Sequence, residues 1–123
     1  MAKACSDAYM EAMLQLIDNA DTLSVCSGQP ANVAGIAAVL LAEVALTPGD
    51  GNGDFTIANG DTNGRKLTVA QQAAIAITAS GDATHIVIDD GTNLYITTCT
   101  SQTLTSGGTV TVPAWDIEVA DPS

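Results

Sequence analysis

The chain has 123 residues, a formal net charge of −11 and a 46% hydrophobic fraction, which describes one domain large enough to bury a core. Three basic residues, Lys3, Arg65 and Lys66, stand against 14 acidic ones. That balance excludes phosphate-neutralising contact with nucleic acid and attraction to an anionic membrane, and no apolar run approaches the length of a membrane span.

The apolar residues are mostly Ala, Val, Ile and Leu, and the only aromatic ones are Phe55, Trp115, Tyr9 and Tyr95. A core so short of rings suits β-branched strands in a thin sandwich. Cys5, Cys26 and Cys99 cannot all pair internally and lack metal-ligand spacing, so reduced thiols are expected. The N-terminus lacks the apolar stretch of a secretory signal, which points to maturation in a cytosol.

In chain order, residues 6–20 form the helix candidate. Ser6 or Asp7 can cap it, and Glu11 favours its positive end. Tyr9, Met13, Leu16 and Ile17, with Met10 and Leu14 alongside, make an apolar stripe at three-to-four spacing that is expected to face the core. Thr22 to Cys26 alternates with period two and reads as a strand. Ala31 to Leu46 is ambiguous: its alanines favour helix, whereas Val39 to Leu46 also fits a buried strand, the reading preferred here. Residues 49–64 are rich in Gly, Asp and Asn around a short strand at Asp54 to Ala58, and read as an excursion at one end of the domain. Extended structure resumes from Arg65 to Val69 and in the second half of Ala70 to Thr78.

Ala83 to Val119 reads as a run of antiparallel strands: Ala83–Asp89, Asn93–Cys99, Ser101–Thr105 and Thr109–Val119. Asp89-Asp-Gly-Thr-Asn93 and Ser106-Gly-Gly108 supply the turns. Burying one common face sets Ile88 opposite Leu94 and Ile86 opposite Ile96 around a loop of Asp90, Gly91 and Thr92. The same reasoning sets Leu104 opposite Val110. In the last strand the apolar phase changes from Val110 and Val112 to Trp115, Ile117 and Val119, with Pro113 at the break. A bulge or a bend between sheets explains both facts. The expected fold is therefore mainly β: an antiparallel, jelly-roll-like β-sandwich over 22–119 with one short N-terminal α-helix.

Little in the chain suggests reactive chemistry. Asp50, Asn52 and Asp54 have the spacing that opens a calcium loop, with Asp61 at the twelfth position. Phe55 stands where the motif requires Gly and Asp61 where it requires Glu, so an incidental turn-rich loop is the stronger reading. His85, Cys99 and Asp116 form a triad only by assertion, and a packed strand histidine is the simpler account. Asp89 and Asp90 precede Gly91 as turn formers should, and Asp116 with Glu118 reads as a solvated strand face. No catalytic, cofactor-binding or metal-ligating residue is assigned, no cofactor is implied, and an enzyme is disfavoured.

Gly81 to Gly91, Leu94 to Ser101 and Gly108 to Glu118, closing on Asp121-Pro122, resemble the C-terminal half of small tailed-bacteriophage virion proteins. The resemblance implies a head decoration, or cement, protein: a homotrimer on the capsid exterior, assembled in the host cytoplasm, whose partner is the major capsid protein. It brings no site residues with it, and the 49–64 segment departs from many relatives. Two other functions remain open. A tail, baseplate or fibre component differs in location, and a carbohydrate- or receptor-binding module would need more exposed rings than Trp115 and two tyrosines supply.

Overall fold

The computed structural model describes residues 7–60 and 64–119, and in them the protein is mainly β and antiparallel. Helix α1 (Asp7–Ile17) precedes β1 (Thr22–Cys26). A short 3-10 turn at Val33–Gly35, capped by the Asn32 side chain on the Gly35 N–H, leads into α2 (Ile36–Val39). The remaining strands are β2 (Leu40–Ala45), β3 (Phe55–Asn59), β4 (Arg65–Val69), β5 (Gln72–Ala76), β6 (Gly81–Asp89), β7 (Leu94–Leu104), β8 (Thr109–Val112) and β9 (Trp115–Val119). The ambiguous Ala31–Leu46 segment is thus both things in turn, a helical turn and then a strand.

Three sheets assemble with orders β2-β1-β6-β7, β3-β4-β9 and β5-β8. One face of the four-stranded sheet, through Leu23, Val25, Ile86 and Ile88, packs against Phe55, Leu67, Val69 and Ile117 of the second sheet and Ile75 and Val112 of the third. This is the sandwich core. The opposite face of the four-stranded sheet is also covered: Cys26 and Val87 lie under Ile36, with Val33, Val39 and Leu40 around them. The two smaller sheets are joined by the chain that passes from β8 to β9 at Pro113 and Ala114, the phase break expected from the sequence.

Helix α1 docks through only part of the predicted stripe, Met10, Leu14 and Ile17. Met10 and Leu14 are 1% and 0% exposed, whereas Tyr9, Met13 and Leu16 are 75%, 60% and 57% exposed. Both lines have helical spacing, so periodicity could not choose between them. Leu14 belongs to the main core, and Arg65 of β4 pairs with Glu11 on the helix. The Ser6 and Asp7 cap lies outside the described residues and side chains.

The turn after β6 corrects the predicted register. Asp89 pairs with Leu94, Ile88 with Tyr95, Val87 with Ile96 and Ile86 with Thr97, around a loop of Asp90 to Asn93. The Asp90 carboxylate accepts from the Thr92 and Asn93 N–H groups (2.9 and 2.7 Å), and the Asp90 N–H donates to the Asn93 carbonyl (3.1 Å). Gly91 takes the left-handed conformation this requires (φ 91°). Because β6 is buried on both faces, matching Ile to Ile on one face was not decisive; Ile96 joins Val87 on the other.

Two carboxylates at this end of the domain are buried. Asp18 sits just after α1, where burial, and then the Asp50 charge, push its carboxyl above the ordinary 3.8. Burial likewise raises Asp89, with the Gly91 N–H partly offsetting it and Asp21 and Asp90 adding to it. The charged forms are disfavoured in the fold, so both groups contribute stability at low pH that is lost as pH rises through their folded values. Asp90 acts in the opposite sense, since two loop N–H groups hold it below 3.8. Thermal stability should therefore rise as pH is lowered from neutrality toward the ordinary carboxylate range and fall again in stronger acid. Asp18→Asn and Asp89→Asn should flatten the first limb in a melting series; an unchanged slope in both variants would contradict this.

Candidate functional site

The feature with the best claim to be a site is a groove bordered by β7, β8 and β9. Strand β7 ends at Leu104, and β8 begins at Thr109, a connection short enough for a paired hairpin. The two strands do not pair. Strand β8 pairs instead with β5 (Ile75 with Val110, Ala76 with Thr109), which corrects the predicted Leu104–Val110 pairing; Leu104 faces Gly81. The turn is pulled the same way: the Gly107 N–H donates to the Ile77 carbonyl, the Ile77 N–H to the Gly108 carbonyl (both 3.0 Å), and the Ser106 N–H to Ser80 Oγ (2.9 Å).

The open hairpin is the gap in an otherwise continuous ribbon. Strand β2 does not end its sheet freely, because Ala42 bridges Ile77 and the Leu41 carbonyl accepts from the Thr78 and Ala79 N–H groups (2.8 and 3.2 Å). Following the ladders gives β7-β6-β1-β2, then the extension of β5, then β8. Its two ends, β7 and β8, border the gap, and β9, itself the edge of its sheet, continues the border beyond Pro113.

Between them lie two adjoining cavities of about 240 and 260 Å³ that share Ile86, Cys99, Val112 and Pro113. Trp115 and Asp116 close one end. Trp115 stacks on Tyr95 of β7 with ring centroids 6.1 Å apart and planes inclined by 27°, and its indole N–H is buried without a hydrogen-bond partner among the described residues. Cys99 reaches the groove where β7 bulges: Thr98 to Gln102 spans the length that β6 covers from His85 to Ala83. The predicted boundary between two strands at Cys99 and Ser101 is this bulge inside one strand.

The sequence candidates are scattered. His85 shares a hydrogen bond with Thr84 Oγ1 (2.8 Å) and pairs across the sheet with Cys26, in the smaller cluster, whereas Cys99 packs against the main core on the other face. The asserted triad is therefore not assembled. Asp116 Oδ1 accepts from Thr68 Oγ1 (2.7 Å), and Oδ2 lies 3.8 Å from Lys66 Nζ. Asp116 and Glu118 are exposed on one face of β9, as expected. In the Gly/Asp/Asn loop the carboxylates staple backbone: Asp50 accepts from the Ile57 N–H (2.9 Å), and Asp54 from the Thr47 N–H (2.7 Å) and Gln72 Nε2 (3.0 Å). Asp61 lies outside the described residues. Among the described residues no cluster of three or more His, Cys, Asp or Glu could hold a metal ion.

The two described thiols differ sharply. Cys26 is buried and its pKa is pushed up to about 11 by that burial, while Cys99 is half-buried, with its pKa also raised by burial. Iodoacetamide should label Cys99 in the native protein and reach Cys26 only after unfolding. Peptide mapping by mass spectrometry checks this, and early labelling of Cys26 would contradict the packing described for β1.

Comparison of the chain with family models, curated proteins and solved structures returns no match.

Proposed function

We propose that the protein is a structural component of a tailed-phage virion that binds the outer surface of the capsid and stabilises the shell. The observation that carries this reading is the resemblance of residues 81–122 to the C-terminal half of small phage virion proteins. The major capsid protein is the partner, and the protein acts as a homotrimer.

The physical properties of the chain support the reading. A scaffold whose candidate triad is dispersed, and whose loop carboxylates are spent on backbone N–H groups, offers surface rather than turnover. The exposed Tyr9, Met13 and Leu16 stripe supplies an apolar patch for subunit contact. A charge of −11 keeps the protein off packaged nucleic acid and suits a basic partner surface.

Antibody labelling of intact virions separates this function from its nearest rival. Label over the whole head is expected; label confined to tails, baseplates or fibres selects the tail component instead. A glycan-binding module is the reading from another class, and Trp115 on the groove border is its one support. Glycan binding lost in Trp115→Ala, with folding retained, would establish it.

A further inference from the structure

We infer that the gap between β7 and β8 is a receiving slot for an extended, lysine- or arginine-bearing segment of a partner protein, which inserts as an additional strand.

The slot combines two features that an extended peptide satisfies together. Its rims are sheet edges, since β7 and β8 each have a ladder partner on one side only among the described residues. Edge strands present backbone N–H and C=O groups that another strand can pair with. Its floor is apolar, formed by Ile86, Val112 and Pro113 with Cys99, and alternate side chains of an inserted strand would point into it. Strands β7 and β8 run antiparallel to each other, as the successive antiparallel pairings along the ribbon require. An inserted strand would therefore meet one rim in parallel and the other in antiparallel sense.

Charge selects the occupant. Asp116 stands at the Trp115 end of the slot, and the chain carries −11 overall with three basic residues. Of these, Arg65 pairs with Glu11 and Asn59, and Lys66 lies beside Asp116. A second copy of the chain would bring the same negative charge to the slot, whereas a basic segment is attracted to it. The inference does not depend on the capsid reading: a protein that ignores phage shells could still hold such a segment.

Cys99 is a built-in reporter, because it lines both cavities. Three short synthetic peptides of alternating valine and threonine serve as probes: one flanked by lysines, one flanked by glutamates, and a lysine-flanked form N-methylated along its backbone. Alkylation of Cys99 in the wild-type protein is followed by peptide mapping, with hydrogen exchange of the β7 and β8 amides in parallel. The lysine peptide should slow Cys99 alkylation roughly fivefold or more at concentrations on the order of 1 mM, as a weak complex would, and should protect amides on both rims. Added salt and Asp116→Asn should weaken the effect, and the N-methylated peptide should not protect. The inference is overturned if no peptide protects, if the glutamate or N-methylated peptide protects equally, or if Cys99 protection rises with protein concentration alone, which would make a second copy the occupant.

Discussion

Phe55→Ala is expected to cost about 3–5 kcal/mol of folding stability, the range for truncating a fully buried ring. Phe55 is the one phenylalanine in the chain, has no exposed surface, and lies opposite Val69 in the β3–β4 pair. The fully buried residues around it in the core are all aliphatic. A domain of this kind has about 5–15 kcal/mol in total, so the substitution removes a large share of it. Phe55→Leu should cost less, because part of the volume is kept. Urea unfolding measures both: the midpoint should fall with an unchanged slope. A loss below about 1 kcal/mol for the alanine variant would mean that the space between the sheets collapses freely, against the close packing described.

Leu14→Ala and Met13→Ala should separate the two faces of α1. An isolated helix of 11 residues is marginal in water, so α1 depends on its docking. Leu14 has no exposed surface, and its truncation should cost about 2–5 kcal/mol. Met13 is 60% exposed, and its truncation should stay within about 0.5 kcal/mol. Thermal melts of the two variants check the contrast. If the exposed stripe is the subunit contact, Met13→Ala should instead lower the assembled fraction in sedimentation. Equal destabilisation by the two changes would reverse the helix orientation.

How far the sequence could be read depended on whether one local pattern had one solution. Pro113 lacks a ladder donor and coincides with a change in apolar phase, and the chain does change sheets there. The α1 stripe had two solutions, Tyr9–Met13–Leu16 and Met10–Leu14–Ile17, and only the tertiary packing of Leu14 decided between them. The β6–β7 register failed because β6 is buried on both faces, so Val87 had as strong a claim on Ile96 as Ile86 had. What distinguished the observed pairing was the local chemistry of Asp90 with the Thr92 and Asn93 N–H groups.

The groove was the least legible feature, for a similar reason. Ser106-Gly-Gly108 has the composition of a hairpin turn, and nothing near it announces that β8 will pair with β5, distant in sequence. One signal was present: the second half of Ala70–Thr78 and Thr109–Val112 are both short, apolar and β-prone, so either could have been the other's partner. Strand β5 carries a bulge against β8, with Ala74 in the left-handed region (φ 55°), which no strand pattern predicts. The Asp50–Asp54 loop was legible as turn material, and its carboxylates are indeed engaged with backbone.

Incubation of the purified protein with expanded tailed-phage shells built from the major capsid protein proposed as its partner, followed by sedimentation and imaging, tests the proposed function. The account predicts that the protein co-sediments to saturation, appears as trimeric density on the outer surface of the shell, and raises the temperature at which the shell ruptures. A protein that stays monomeric, remains in the supernatant with both empty and full shells, and leaves the rupture temperature unchanged would contradict it.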